Sequence, residues 1–270
     1  MRLWMLGSGS RGNAVVLEAA GTRILVDAGF APQITVERLA EIEIAPESIE
    51  AVVITHEHID HVRGVRVLSE RFQWTPYATA GTIMGARDLK DAGAIPFRAG
   101  DTLSIGEMDV ATVRASHDAA EPVVLVATAR RSGARAGIAY DLGVATHSVF
   151  EAMRDLDLLV LEANHDEDML RHGPYPPSVR NRIAGRSGHL SNAAAAQLAR
   201  DVAHKDLRHI VLAHLSESCN APRAALEAVT TGLLKSRFTG RVSVAAQDRV
   251  AGPFEPGKRT AKAKQLDLWG

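Results

Sequence analysis

The feature that most constrains this chain is a cluster of four metal-binding side chains directly after a short apolar segment. His56, His58, Asp60 and His61 lie within six residues of one another and follow the apolar run 51–54. Imidazole and carboxylate groups are common ligands of divalent transition metals. In an extended or tightly turned segment, His56 and His58 point the same way and can share one cation. Asp60 and His61 follow where the chain turns into an apparent helix, so they face a second position beside the first.

Two metal positions with about four ligands each need further donors from elsewhere in the chain. His117, Asp141 and His214 are candidates, because each directly follows an apolar segment of strand type. A ligand at the end of a strand is held by a rigid scaffold. The sequence therefore favours a fold that brings several strand ends to one edge.

The order of these residues resembles the metallo-β-lactamase superfamily, whose members carry His-x-His-x-Asp-His, then a His, then a bridging Asp or Cys, and then a His. The resemblance implies an α/β protein with the metallo-β-lactamase αββα sandwich, in which two mixed β-sheets are flanked by helices. It also implies two divalent metal ions, zinc or manganese, at one rim between the sheets. It assigns His56, His58 and His117 to one ion and Asp60, His61 and His214 to the other, with Asp141 as the bridge. A metal-bridging hydroxide is then the expected nucleophile, oriented by Asp60.

Short β-rich segments alternate with helical ones along the chain, which by itself indicates a layered α/β protein without choosing among layered folds. The pattern predicts strands at 3–6, 14–18, 23–26, 51–55, 102–105, 108–115, 123–129, 136–140, 158–162, 209–215 and 242–246. It predicts helices at 32–42, 62–72, 192–204 and 222–235.

The glycine-rich segment 7–12 matches the dinucleotide-binding pattern G-x-G-x-x-G. That pattern requires a helix after its last glycine, and here a strand-like run follows, so a hairpin loop is the better interpretation. The loop's backbone amides, together with Ser8, Ser10 and Asn13, are expected to contact a substrate phosphate near the metals.

Composition sets the remaining limits. A chain of 270 residues that is 46% hydrophobic can bury one large core. Cys219 is the single cysteine, which excludes an intramolecular disulfide and suits a reducing compartment. The sequence shows neither a signal peptide nor an apolar run of membrane-spanning length, so we expect a cytoplasmic protein without a membrane partner. A net charge of -1 gives no overall attraction to nucleic acid, which must then be held by local patches.

A phosphodiester hydrolase also needs an acid for its leaving group, and Glu162 and His189 are the candidates. Phosphodiesterases related to the transfer-RNA 3′-processing ribonucleases carry similar Glu-Ala-Thr and Gly-His-Ser segments. The resemblance implies that His189 donates the proton and that Glu162 holds its imidazolium. The alternative is that Glu162 merely ends a strand and His189 caps the next helix.

Longer segments of the chain look like the YycJ/WalJ family of bacterial metallo-β-lactamase-fold proteins. The matching segments are 6–13, 162–166, 173–176 and 188–192, and similarity covers most of residues 1–250. The family is associated with 5′-to-3′ exonuclease action on DNA and with mismatch repair, so the resemblance implies a DNA-repair exonuclease. Tyr140 stands where Thr is commoner before the bridging carboxylate, which is expected to alter the surroundings of Asp141 and leave the ligand in place.

The segment 169–189 contains four arginines and no acidic residue: Arg171, Arg180, Arg182 and Arg186. Guanidinium groups bind phosphate through paired hydrogen bonds, so we expect this cluster to contact a DNA backbone. A solvated loop that balances acids elsewhere is the alternative. Asn164 and His165 are also expected to contact substrate, although the position of His165 equally suits the surroundings of the metal site.

The composition changes to glycine, proline and basic residues after Ala251. We therefore expect a catalytic domain at 1–251 and a flexible basic tail at 252–270. The tail ends in Gln265, Leu266, Asp267, Leu268 and Trp269 before a final glycine. This string resembles the short peptide by which bacterial replication and repair proteins dock into the sliding clamp, with Trp269 in place of the usual Phe. The alternative is that its apolar residues pack back onto the domain.

Three classes of function follow. The preferred one is a dinuclear-metal phosphodiesterase acting as a DNA exonuclease. The second is a hydrolase of the same fold acting on RNA, a cyclic or small phosphodiester, a thioester or a lactone. Such a hydrolase has no need of His189, the arginine cluster or the clamp-like tail. The third is a non-catalytic adaptor, which has no need of seven metal ligands.

Overall fold

The computed structural model describes residues 1–257, which form two seven-stranded sheets with helices on their outer faces. The first sheet contains β1 (Arg2–Gly7), β2 (Ala14–Ala19), β3 (Thr22–Val26), β4 (Ala51–Val53), β5 (Thr75–Thr79) and β6 (Ile95–Phe97). The second contains β7 (Thr102–Ile105), β8 (Met108–Arg114), β9 (Val123–Ala129), β10 (Arg135–Ala139), β11 (Leu158–Glu162), β12 (His209–Ala213) and β13 (Arg241–Val244). The last strand, β14 (Ala251–Phe254), returns to the first sheet and pairs with β1.

The two sheets are built alike. The first runs in the order β14-β1-β2-β3-β4-β5-β6, and the second in the order β13-β12-β11-β10-β9-β8-β7. In the first sheet the pairs from β14 to β3 are antiparallel, and those from β3 to β6 are parallel. In the second sheet the pairs from β7 to β10 are antiparallel, and those from β10 to β13 are parallel. In the parallel part of each sheet the carboxyl ends of neighbouring strands therefore lie at one edge.

Helices cover the outer faces of both sheets. Those between strands of the first sheet are α1 (Pro32–Glu41), α2 (Ile59–Val62), α3 (Val65–Phe72), α4 (Ala80–Gly85) and α5 (Arg87–Asp91), with a 3₁₀ turn at Pro46–Ser48. The second half contributes α6 (His147–Ala152), α7 (Glu167–His172), α8 (Pro177–Ile183), α9 (Asn192–Val202) and α10 (Pro222–Leu233). Within residues 1–257, no helix has the length and apolar character needed to cross a membrane.

The central strands are apolar on both faces because both faces are covered. In β1, Leu3 and Met5 pack between the two sheets, whereas Trp4 and Leu6 pack against the helices over the first sheet. A third apolar cluster joins the outer face of the second sheet to α6, α9 and α10. Three cores between four layers confirm the expected αββα sandwich.

The expected helix at 62–72 is wrong in its bounds, because the chain forms two helices, α2 and α3. The carbonyl groups of Asp60 and His61 accept hydrogen bonds from the backbone of Asn13 and Ala28. Those carbonyl groups therefore do not accept the hydrogen bonds that would continue an α-helix. Gly64 likewise donates its N–H to the Ala28 carbonyl oxygen, outside the helix. As a result, Asp60 and His61 lie on a short helix of their own.

The ordered body extends past the expected domain boundary at residue 251. Strand β14 pairs antiparallel with β1, with Phe254 opposite Leu3. Gly252 and Pro253 therefore belong to the sheet, although their composition had assigned them to the tail. The segment 7–12 is a loop between two paired strands, β1 and β2, as predicted. The clamp-like string Gln265–Trp269 lies outside the described residues.

Candidate active site

The candidate metal ligands meet at one edge of the sandwich, where strands of both sheets end. His56, His58, Asp60 and His61 follow β4 of the first sheet, in the segment that leads into α2. His117, Asp141 and His214 follow β8, β10 and β12 of the second sheet, and Glu162 is the last residue of β11. The structure therefore brings together all seven ligands expected from the sequence, although they are spread over 159 positions of the chain.

The first group of ligands is His56, His58 and His117, whose ring nitrogens lie within 4.8 Å of one another. His58 Nδ1 is 3.0 Å from His56 Nε2 and 3.3 Å from His117 Nε2. The other ring nitrogens of His56 and His117 point away from this group and have polar neighbours. His56 Nδ1 is 3.1 Å from Thr55 Oγ1, and His117 Nδ1 is 3.0 Å from the Gly188 carbonyl oxygen. These outer contacts favour lone pairs on the inward nitrogens of His56 and His117, which is the arrangement that a cation satisfies.

The second group is Asp60, His61 and His214. Asp60 Oδ2 is 3.4 Å from the Nε2 atoms of both His61 and His214. Asp141 stands between the two groups. One of its carboxylate oxygens is 3.1 Å from His61 Nε2, and the other is 3.7 Å from His117 Nε2. Asp141 can therefore reach both groups, as a bridging ligand must.

The residues present fit a metal centre. Asp141 Oδ2 is buried and receives no well-directed hydrogen bond from the described residues, although His61 lies close to it. Burial lowers the pKa of His61, but Asp60, Asp27 and Asp141 outweigh this effect and hold that pKa well above its ordinary value. Burial likewise lowers the pKa of His214, but Asp141 and the neighbouring carboxylates raise it to about 10. Positive charge at this point therefore stabilises the buried carboxylates, and a divalent cation would supply it.

Asp27, which the sequence did not mark as a site residue, supports the candidate ligands through buried hydrogen bonds. It is fully buried and accepts hydrogen bonds from Thr55 N at 2.8 Å and from the Tyr140 hydroxyl at 2.6 Å. It also lies 2.8 Å from His61 Nδ1, which directs the other ring nitrogen of His61 toward the metal position. Tyr140 therefore belongs to the immediate surroundings of the candidate ligands. The available signal for Asp27 was an acid directly after an apolar strand, the same signal that marks Asp141.

Three residues of the site adopt the left-handed backbone region. The φ angles are 59° for Asp27, 56° for Asp141 and 54° for His214. Such angles are uncommon for residues other than glycine and are found most often where function requires them. Asp27 and His214 directly follow β3 and β12, and Asp141 lies two positions after the last residue of β10, so the turn redirects the chain and brings each side chain to the rim. Gly29 allows the chain to pass α2 closely, because a Cβ atom there would lie 1.6 Å from the Asp60 carbonyl oxygen.

Glu162 joins the metal ligands to His189. It is fully buried, and one carboxylate oxygen lies 2.8 Å from His189 Nδ1 and 3.1 Å from His214 Nδ1. The other oxygen accepts hydrogen bonds from the backbone of Leu142 and Leu190. Burial raises the pKa of Glu162, but the neighbouring His189 and His214 lower it to about 2. Glu162 is therefore a carboxylate that orients two imidazoles at once.

His189 is held by Glu162 and does not cap a helix. Burial lowers its pKa, but Glu162 outweighs this effect and raises the pKa above its ordinary value. Its side chain is 21% exposed, so one edge of the ring remains accessible. The N-cap of α9 is Ser191, whose hydroxyl accepts a hydrogen bond from the backbone of Ala194. The alternative that His189 caps the next helix is therefore wrong.

Two of the residues expected to contact a phosphate have structural roles instead. Ser8 is buried, accepts a hydrogen bond from His214 N and donates one to Asn13, both at 2.8 Å. Asn13 is also buried, with its amide nitrogen 3.2 Å from His61 Nε2. Their polar atoms are used within the protein, so the expected substrate contacts of Ser8 and Asn13 are wrong. Ser10 is exposed at the mouth of the site.

The ligands open onto a cleft of about 280 Å³, which we call the metal cleft. Its walls include Ser10, His58, Asp60, Asn164, Arg182 and His189. Arg182 forms an ion pair there with Asp118, a cleft residue that no sequence pattern marked. Asn164 lines the same cleft, while its amide donates to the carbonyl oxygen of His214.

A second pocket of about 510 Å³ adjoins the metal cleft, and His189 lines both. We call it the acid-side pocket; its walls include His165, Glu167, Arg171, Arg180, Asn181 and His189. Two of the four clustered arginines thus lie here, and Arg182 lies in the metal cleft. Arg186 is exposed and lines neither cavity. Its carbonyl oxygen accepts a hydrogen bond from Ser116.

Comparisons with known proteins agree with this geometry. Residues 22–215 match the family described as the beta-lactamase superfamily domain. The metallo-β-lactamase-fold protein YhfI from Bacillus subtilis superposes with a TM-score of 0.70 over 93% of this chain and 99% of that chain. The two are 17% identical, so YhfI shows the fold alone. The fold and the ligand set define a metal-dependent hydrolase of the metallo-β-lactamase superfamily.

Closer relatives refine the assignment. The chain is 32% identical over 240 residues to exodeoxyribonuclease YycJ of Bacillus anthracis, which covers 87% of this chain and 89% of that protein. It is also 32% identical over 227 residues to exodeoxyribonuclease WalJ of Streptococcus pneumoniae, which covers 82% of this chain and 84% of that protein. Within the superfamily, the chain belongs to the YycJ/WalJ family.

Proposed function

We propose that the protein is a DNA exonuclease that uses two divalent metal ions, zinc or manganese, and acts from 5′ to 3′ in DNA repair, including mismatch repair. The observation that carries the proposal is the contact between Glu162 and His189, 2.8 Å long, beside seven metal ligands. Hydrolysis of a DNA phosphodiester releases an alkoxide, which is a poor leaving group without a proton donor. The exodeoxyribonuclease names of its relatives YycJ and WalJ support DNA as the substrate.

Two ions bound by the ligand cluster would supply an activated water and stabilise the charge on the reacting phosphate. His56, His58 and His117 would hold one ion, Asp60, His61 and His214 the other, and Asp141 would contact both. The remaining chemistry belongs to the chain. Glu162 keeps His189 protonated and directs its ring, and His189 then gives its proton to the departing oxygen.

We further propose that Arg182 contacts the DNA backbone at the metal cleft. Its partner Asp118 is 28% exposed and its own side chain is 69% exposed, so this ion pair is open to water and can be exchanged for a phosphate.

We also propose that the C-terminal string Gln265–Trp269 docks into a bacterial sliding clamp, and that the protein acts in the cytoplasm. A clamp contact would keep an exonuclease near replicating DNA.

The test is digestion of end-labelled DNA and RNA, single-stranded and duplex, with Mn²⁺ or Zn²⁺. We expect stepwise shortening of DNA from its 5′ end. His189→Ala should slow DNA cleavage by about 10² to 10⁴ and leave the metal content unchanged. Bis-p-nitrophenyl phosphate needs little protonation of its leaving group, so its hydrolysis should fall far less. RNA degradation in preference to DNA would contradict the DNA assignment, and equal losses on both esters would contradict the role of His189.

A further inference from the structure

The acid-side pocket adjoins the metal cleft and has the size of a ligand-binding site. A volume of about 510 Å³ lies within the range of about 300–1,000 Å³ that is usual for sites binding small organic molecules. Its walls come from α7, α8 and the start of α9, and His189 stands between the pocket and the metal ligands. Leu170, Pro177, Ala184 and Ala194 provide apolar wall, and the arginines provide positive charge.

Arg180 carries an unsatisfied positive charge in this pocket. Its side chain is half-buried, and it donates a hydrogen bond to the carbonyl oxygen of Arg171. Within residues 1–257 it forms no ion pair with a carboxylate, unlike Arg171, which pairs with Asp168, and Arg182, which pairs with Asp118. A guanidinium that is partly withdrawn from water and lacks an anion is suited to binding a phosphate.

His165 is a buried polar side chain in the wall of the pocket. It lines the pocket and is 2% exposed, and its Nδ1 atom is buried with no hydrogen-bond partner among the described residues. Burial lowers the pKa of His165 below its ordinary value, which favours the uncharged ring. Glu167, the acid that lines the same pocket, is occupied by a hydrogen bond from the Ser191 hydroxyl. Among residues 1–257, the pocket thus offers the Arg180 guanidinium, which pairs with no carboxylate there.

We propose that the acid-side pocket binds the 5′-terminal nucleotide of the DNA, with its terminal 5′-phosphate on Arg180. This inference rests on the proposed exonuclease function. Hydrolysis adds water across the P–O3′ bond, so that hydroxide joins phosphorus and a proton from His189 joins O3′ of the departing nucleotide. His189 is restored by the proton that the water gives up.

The position of His189 decides which side of the substrate enters the pocket. Because His189 protonates O3′ of the departing nucleotide, that nucleotide lies on the His189 side of the scissile phosphate. In a 5′-to-3′ reaction the departing nucleotide is the terminal one, and its 5′-phosphate is the group farthest from the metals. The volume of the pocket suits a single nucleotide, so the proposed reaction would remove one residue at a time.

The pocket predicts a requirement for a 5′-phosphate. Wild-type protein should degrade 5′-phosphorylated DNA with a kcat/KM about 10- to 150-fold above that for the same strand with a 5′-hydroxyl, the usual range for a hydrogen bond to a charged group. Arg180→Gln should bring this ratio close to 1. Arg223→Gln provides a matched control, because Arg223 is exposed on α10 and pairs with Glu227 outside the site; its ratio should equal that of the wild type.

The outcomes separate this inference from the proposed function on which it rests. Equal degradation of phosphate and hydroxyl ends by the wild-type protein overturns the pocket assignment and leaves the exonuclease function in place, and this comparison needs no variant. An unchanged ratio in Arg180→Gln also overturns it. If bis-p-nitrophenyl phosphate is hydrolysed but DNA is not degraded from any end, both the exonuclease proposal and the pocket assignment fail.

Discussion

Replacing Glu162 by glutamine removes a charge at the centre of the site and keeps the size of the side chain. In the protein, one carboxylate oxygen faces the ring nitrogens of His189 and His214, and the other faces the backbone N–H groups of Leu142 and Leu190. Glutamine offers one acceptor oxygen, so its NH₂ group must face one of these two pairs of donors. At about 1–3 kcal/mol for each buried donor left unsatisfied, the free energy of unfolding should fall by about 2–6 kcal/mol.

The same substitution should change the pH dependence of DNA hydrolysis. Burial lowers the pKa of His189, and the Glu162 carboxylate raises it above its ordinary value. A proton donor acts only while it is protonated, so the rate should fall as the pH rises through the pKa of His189. In Glu162→Gln the effect of burial remains and the charge is lost. The pKa of His189 then drops, and the alkaline fall in rate should move to lower pH.

The assay is kcat/KM on single-stranded DNA as a function of pH, together with the metal content of each protein. At neutral pH we expect a loss of about 10- to 100-fold, the usual effect of removing a group that orients a metal ligand. Glu151→Gln provides a control of equal charge change, because Glu151 is half exposed and pairs with Arg154 on the surface. If the rate of Glu162→Gln falls at the same alkaline pH as that of the wild type, the argument that Glu162 sets the protonation of His189 is refuted.

Three further predictions concern the ligands, their support and the tail. Asp141→Ala should lose bound metal and nearly all hydrolysis while remaining folded by circular dichroism, and full activity would contradict its role as the bridge. Tyr140→Phe should lower the free energy of unfolding in urea by about 1.5–3 kcal/mol, because it removes one hydrogen bond to the buried carboxylate of Asp27; unchanged stability would show that this hydroxyl contributes nothing. Deletion of residues 265–270 should abolish co-elution with the sliding clamp of the same organism and leave digestion of short DNA intact, and equal clamp binding by both proteins would rule out the tail as the contact.

The metal ligands could be predicted because their signal is local or follows a simple rule. His56 and His61 belong to one short motif, His214 directly follows β12, and His117 lies three positions after the last residue of β8. The fold itself needed the family resemblance, because alternating strands and helices suit several layered architectures. Strands β5, β6 and β14 were missed because each is short and contains a proline, which is unusual in the interior of a sheet. Strands β6 and β14 lie at the edges of their sheet, where proline is tolerated, whereas β5 lies between β4 and β6.

The supporting residues could not be predicted because their roles depend on contacts between distant segments. Ser8 has the sequence environment of a phosphate-binding loop, and only its packing against His214 shows that its hydroxyl is used internally. Asp27 and Tyr140 are 113 positions apart, yet they share a hydrogen bond beneath the site. Asp118 acquires a role only once α8 places Arg182 beside it.

Each group of metal ligands draws on both sheets, and this arrangement has a consequence for the lifetime of the protein. His56 and His58 come from the first sheet and His117 from the second; Asp60 and His61 come from the first and His214 from the second. A bound ion is therefore a non-covalent crosslink between the two halves of the chain. Binding that requires the folded state stabilises it by about 2.7 kcal/mol when free metal is at 100 times its dissociation constant. Without metal the protein should remain folded but unfold more often, so we expect faster proteolysis and a lower abundance of the protein in a cell that is short of metal.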